Sequence, residues 1–137
     1  MDQIKTLLDR SKAQVQPVLP EELKNLYGGD LCFPAFDSGP YVIGNFVSTI
    51  DGVVSFETPG ASGGGDISGF NEADRFIMGL LRASMDAVVV GSGTLREVAV
   101  GHLWLAEHVY AEAQELYTRY RQGVLNKPEP PLNVIVS

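Results

Sequence analysis

The stretch Gly91-Ser92-Gly93-Thr94 lies between an apolar run and a helix-forming segment. There a chain can turn backbone N–H groups toward an anion, helped by the Thr94 hydroxyl and the positive end of the helix that follows. A phosphate-bearing cofactor fits that chemistry. A tight turn that uses glycine for positive φ fits the same residues, and both readings stay open. The stretch is neither a dinucleotide fingerprint, since Glu97 stands near the place of the third glycine, nor a P-loop, since no Gly-Lys-Ser/Thr follows. Arg82, at the end of a helical pattern, has the planar fork that clamps phosphate, yet it also suits a surface position favoured by the helix dipole. Asn45, Val47, Thr49 and Asp51 alternate, so in a strand they share one face. An amide, a hydroxyl and a carboxylate in a row can read a polar heterocycle through paired hydrogen bonds. The alternative is that Asp51-Gly52 is a turn and Asn45 a solvated strand residue.

Other groups carry less. His102 and His108 are six apart, which is not the i, i+4 pair of a helical metal site, and no metal is expected. No Gly-x-Ser-x-Gly elbow between a strand and a helix marks a serine nucleophile. Cys32 is the only cysteine, so no internal disulfide can form, and the thiol reads as a small buried hydrophobe. Trp104, Tyr110, Tyr117 and Tyr120 recur at helical spacing and read as core or interface packing.

The elements that must position these residues follow from periodicity. Residues 3–14 put Ile4, Leu7 and Leu8 on one helical face, and Pro17 and Pro20 end that helix. A second short helix runs from Glu21 to Tyr27, stopped by Gly28-Gly29. Tyr41 to Ile50 reads as a strand closed by Asp51-Gly52, and Val53 to Phe56 continues it. Glu57 to Phe70 is glycine-rich and aperiodic, a loop of the length that is often functional. Asn71 is an N-cap for a helix ending near Ala83. Ala87 to Val90, apolar at every position, suits a strand covered on both faces. Leu103 to Tyr120 gives a long amphipathic helix, and Leu132 to Val136 a last strand.

Strand, helix, strand, helix, strand is the order of an α/β domain with a largely parallel sheet. At 137 residues with 45% hydrophobic side chains, the chain is sized for one modest domain with a buried core. Seventeen acidic residues against ten Lys and Arg give a net charge of −7 and a pI near 4.7. That balance opposes nucleic acid and anionic membrane as partners, while leaving room for a local anion site. No apolar run approaches a membrane span, and the acidic start Met1-Asp2 lacks the basic residues of a secretory signal, so a cytoplasmic protein is expected. The sheet would end on an open apolar edge, which implies completion by other polypeptide.

Taken in order, Asn45-Phe-Val-Ser-Thr-Ile-Asp-Gly52, Asp66-Ile-Ser-Gly69, Leu81-Arg-Ala83 and Asp86-Ala-Val-Val-Val-Gly-Ser-Gly-Thr-Leu-Arg96 resemble the pyrimidine reductase domain of riboflavin biosynthesis. The resemblance covers residues 40–96 strongly and 132–136 weakly. It implies a dihydrofolate-reductase-like fold, a mostly parallel sheet flanked by helices and incomplete in this chain, with residues 1–39 as a helical extension and 40–137 as the N-terminal half of the reductase domain. The activity implied is NADPH-dependent reduction of a phosphorylated ribosylaminopyrimidine, as in 5-amino-6-(5-phosphoribosylamino)uracil reductase, by hydride transfer. Asp51 then corresponds to the catalytic residue and Asn45, Ser68 and Arg82 to substrate binders. Val47, Thr49, Ile67, Gly69, Gly91, Ser92, Gly93 and Thr94 correspond to NADPH contacts. The chain departs from the family after Arg96, where Glu97-Val-Ala-Val-Gly-His-Leu-Trp104 replaces an acidic, Pro-containing stretch. The expected partners are a phosphorylated pyrimidine ribotide and either a complementary C-terminal polypeptide or a second copy. The rival expectation is a truncated, non-enzymatic module that binds a nucleotide or dimerises.

Overall fold

The computed structural model describes residues 1, 3–8, 19–33, 38–61, 63–97 and 104–137. Its organising element is a helix opened by Asn71, whose side-chain oxygen accepts the N–H groups of Ala73 (2.9 Å) and Asp74 (3.3 Å). Those donors have no intrahelical carbonyl to reach, so the cap lets the helix start there. This helix, α3 (Glu72–Ser84), follows α1 (Glu21–Tyr27) and α2 (Gly64–Ser68). Its Phe76, Leu80 and Ala83, spaced by four and three, form one buried stripe.

The core is helical. Leu19 and Leu23 of the α1 region meet the α3 stripe and Ala106, Tyr110, Ala113, Tyr117 and Tyr120 in one buried cluster. A β-carbon at Gly79 would stand 2.7 Å from the Tyr117 ring, so only glycine lets the two helices approach this closely. The Tyr117 hydroxyl donates to the Phe76 carbonyl (3.0 Å), and Ser84 Oγ donates to the Leu80 carbonyl (2.8 Å) and lies 3.4 Å from the Tyr120 hydroxyl. The buried polar groups of this core are thereby paired.

The expected single helix over 103–120 is interrupted. Residues 104–137 hold α5 (Ala106–Val109), a 3₁₀ turn (Ala111–Ala113), α6 (Gln114–Arg119) and a π-helical turn (Tyr120–Val124). Tyr110 is extended (φ −141°, ψ 95°). Its ring meets Phe76 edge-on at 6.3 Å, and Arg75 Nε donates to the Val109 carbonyl (2.9 Å), taking an acceptor that a continuous helix would use itself. Tertiary packing overrides the local period here.

Strand β1 (Ala87–Gly91) pairs in parallel with β2 (Leu132–Val136), in the register Val89 opposite Val134, and α4 (Ser92–Glu97) starts directly after β1. The mixed helix and parallel-strand architecture is that of an α/β chain. The expectation that Ala87 to Val90 is covered on both faces is corrected: on the face shared by Ala87, Val89, Leu132, Val134 and Val136 only Val134 is half-buried, with Val89 63% and Leu132 67% exposed. The expected strand 41–50 forms no ladder among the described residues, and Val42, Phe46 and Ile50 are exposed. With no neighbouring strand to accept its backbone groups, that segment stays irregular.

Three smaller differences have local causes. Residues 3–8 are not helical: Ile4 N–H donates to the Leu26 carbonyl (3.2 Å), clipping the segment to the end of α1, while 9–14 lie outside the described residues. The loop 57–70 contains α2, whose start is fixed when the Asp66 carboxylate accepts the Gly63 N–H (3.1 Å). Cys32 is half-buried rather than buried. No helix among the described residues is long and apolar enough to cross a membrane.

Candidate functional site

The residues singled out by sequence fall into two groups. The first is built on a hairpin turn. Thr49 N–H donates to the Val53 carbonyl (2.9 Å) and Gly52 N–H to the Thr49 carbonyl (3.0 Å), with Gly52 in the left-handed region (φ 90°) that a three-residue hairpin loop requires. The Thr49 hydroxyl accepts the Val53 N–H (2.9 Å) and donates to the Asp51 carboxylate. Asp51 is thus in a turn rather than on a strand, and the carboxylate and hydroxyl expected to face the same way do meet. Asn45 is exposed. Val47 approaches α2, since a β-carbon at Gly64 would lie 3.1 Å from Val47 Cγ1. Ile67 and Ser68 form the last turn of α2, with Ser68 Oγ donating to the Gly65 carbonyl (3.3 Å), and Gly69 caps it in the left-handed conformation.

The second group is spread over the last turn of α3, which precedes β1, and the junction of β1 with α4, which follows it. Arg82 is in the last turn of α3, two residues from its end. It is half-buried and forms no hydrogen bond or ion pair among the described residues. Burial without a counter-charge depresses its pKa from 12.5 to about 10, because loss of water disfavours the cation. Gly91 closes β1, and Ser92, Gly93 and Thr94 form the first turn of α4, so the expected turn is a strand-to-helix junction. Gly93 and Thr94 are exposed there. N–H groups in a helix's first turn lack intrahelical acceptors and can meet a negative group. No hydrogen bond among the described residues links this group to the hairpin and α2.

A polar network behind the second group has no sequence signal. Arg121, 5% exposed, donates from Nη2 to Glu107 Oε1 (2.8 Å) and from Nη1 to the Pro128 carbonyl (3.1 Å), while its Nε has no partner among the described residues. Burial works against the Glu107 carboxylate, but Arg121 and the Thr118 hydroxyl outweigh it and hold its pKa below the usual range. Glu107 and Arg121 would stand about 21 Å apart along one straight helix, and only the break at Tyr110 brings them together. His108 joins no cluster of three possible metal ligands among the described residues, and His102 lies outside them. Trp104, Tyr110, Tyr117 and Tyr120 are buried, in keeping with a packing role.

No family model matches the chain, and no curated protein or solved structure matches it.

Proposed function

We propose that this chain is the N-terminal half of an NADPH-dependent reductase acting on a phosphorylated ribosylaminopyrimidine, like 5-amino-6-(5-phosphoribosylamino)uracil reductase. The observation that carries the reading is Arg82: a half-buried guanidinium with no counter-charge among the described residues, in the sequence context Leu81-Arg82-Ala83 that resembles the family. Leaving a buried cation unpaired costs stability, and a substrate phosphate would repay that cost on binding. In this reading the first turn of α4, Ser92 to Thr94 after Gly91, holds NADPH, together with Val47, Thr49, Ile67 and Gly69. Hydroxyl and backbone donors at the start of α4 fit a phosphate-bearing cofactor in donor type. NADPH supplies the hydride. Asp51, held by the Thr49 hydroxyl, is the proton-handling group, and Asn45 and Ser68 contact the pyrimidine ribotide.

The open face of β1 and β2 supports completion of the sheet by further polypeptide, either a C-terminal complement or a second copy. That same face favours the second reading, a non-enzymatic module with a reductase-like fold. The test is a titration of the protein with NADPH followed by nicotinamide fluorescence, with native mass spectrometry of the complex and an assay of NADPH loss with a pyrimidine ribotide. Retention of NADPH and turnover support the reductase. Binding without turnover supports the module, and absence of NADPH binding by the assembled protein removes both cofactor readings.

A further inference from the structure

Helix α3 ends at Ser84, where the last carbonyls lose their intrahelical partners. Met85 N–H reaches the Leu81 (3.2 Å) and Arg82 (3.4 Å) carbonyls. The Ser84 carbonyl is met from 43 positions away, by the Lys127 ammonium at 2.8 Å. The same ammonium pairs with Asp86 Oδ1 (2.8 Å), and the Asp86 carbonyl accepts the N–H of Leu132, the first residue of β2 (2.9 Å). Asn126, left-handed at φ 54°, reverses the chain after the π turn, and Lys127 N–H then donates to the Arg121 carbonyl (2.9 Å). One side chain therefore joins the end of α3 to the entry of β1, and its backbone is held by the Arg121 turn.

We propose that Lys127 is a positioning residue for the anion site: by capping α3 it fixes the helical turn from which the unpaired Arg82 projects. A cation at a helix C-terminus is favoured by the dipole as well as by the hydrogen bond. The Arg82 side chain has no hydrogen bond or ion pair among the described residues to hold it, so the order of its turn comes from the groups that close the helix. The part that concerns ligand binding rests on the phosphate role of Arg82 proposed above; the capping part does not.

The experiment compares wild type with Lys127→Met, Lys127→Arg, Arg82→Gln and the Lys127→Met/Arg82→Gln pair, by two readouts. Amide hydrogen exchange at Met85 reports the cap. Lys127→Met should raise it roughly three- to tenfold relative to amides in the middle of α3 such as Leu80, and Lys127→Arg should restore most of the protection. Equal protection of Met85 in wild type and Lys127→Met overturns the proposal. The dissociation constant for D-ribose 5-phosphate, with D-ribose as control, reports the site. Lys127→Met should weaken the phosphorylated sugar roughly three- to tenfold in the wild-type background and leave the affinity unchanged in the Arg82→Gln background. A merely destabilising substitution, measured well below the melting temperature, would not show that dependence on Arg82. If Arg82→Gln binds the phosphorylated sugar as wild type does, or wild type does not prefer it to ribose, the phosphate reading fails and only the cap survives. If Arg82→Gln loses the preference while Lys127→Met keeps it, the positioning role is overturned and the phosphate reading stands.

Discussion

Arg82→Met should make the unliganded protein more stable while removing its affinity for phosphate, and the opposite signs are what separate a binding residue from a structural one. Methionine keeps the length of the aliphatic stem and drops the charge. The fall of the Arg82 pKa from 12.5 to about 10 corresponds to a ceiling of roughly 3 kcal/mol of penalty on the folded cation, at about 1.36 kcal/mol per unit. The guanidinium is only half-buried, so solvent screening and rearrangement of the long side chain reduce this to about 1 kcal/mol. No ion pair or hydrogen bond is lost in exchange. In a chain of this size 1 kcal/mol is worth about 3–4 °C in melting temperature. Urea unfolding should show a higher midpoint at unchanged slope, so that the difference is one of stability rather than of compactness. Added phosphate or ribose 5-phosphate should stabilise wild type and not the variant, by mass action on the folded state alone. A lower urea midpoint for Arg82→Met would refute the reasoning, because it would show that the guanidinium contributes to the fold.

Gly79→Ala should destabilise the protein by about 2 kcal/mol in the same assay. The forced shift of Tyr117 and the weakened bond to the Phe76 carbonyl outweigh the roughly 1 kcal/mol that alanine contributes in a helix; a stabilised variant would show that Tyr117 can move freely. Glu107→Gln should cost about 1–3 kcal/mol near neutral pH by leaving Arg121 without its carboxylate. The carboxylate's folded pKa is depressed, so its contribution is present above the ordinary glutamate value of 4.5 and lost as pH falls through the folded value. Wild type should therefore lose more stability than Glu107→Gln on acidification below about 4.5, and parallel pH curves would count against the pairing.

Elements with a local cause were legible from sequence. α1 lies between Pro20 and Gly28, and α3 begins at its Asn71 cap. The apolar runs of β1 and β2 pair with each other as an α/β order predicts. What escaped was decided elsewhere in the chain. The period over 103–120 holds, yet Arg75 and Phe76 draw Tyr110 out of the helix. The alternation over 41–50 describes a strand, but a strand is a relation between two segments, and beyond the turn bonds of Thr49 none of the described residues pairs with it. For the site, residue types were readable and relations were not. Arg82 could be named from its position, but its lack of a counter-charge could not, nor could the Lys127 ammonium that closes its helix.

The helical core is closed to water, whereas the β1–β2 face and the hairpin segment are open. Phe76, Leu80, Tyr117 and Tyr120 lose essentially all contact with water among helices. Val89, Leu132, Phe46 and Ile50 keep most of theirs. The apolar face of β1 and β2, with uncapped strand edges and no charged residue in either strand, is a liability unless something covers it. The residues with candidate chemistry in the hairpin and at the β1–α4 junction border this open surface in sequence, whereas the helical core holds only Arg82's helix. Ordering the hairpin against the sheet would cost backbone entropy that the helical core does not repay. Whatever covers β1 and β2 must supply it. Covering polypeptide and ligand would then stabilise the same surroundings, and each should bind better in the presence of the other, since thermodynamic coupling between two sites is reciprocal.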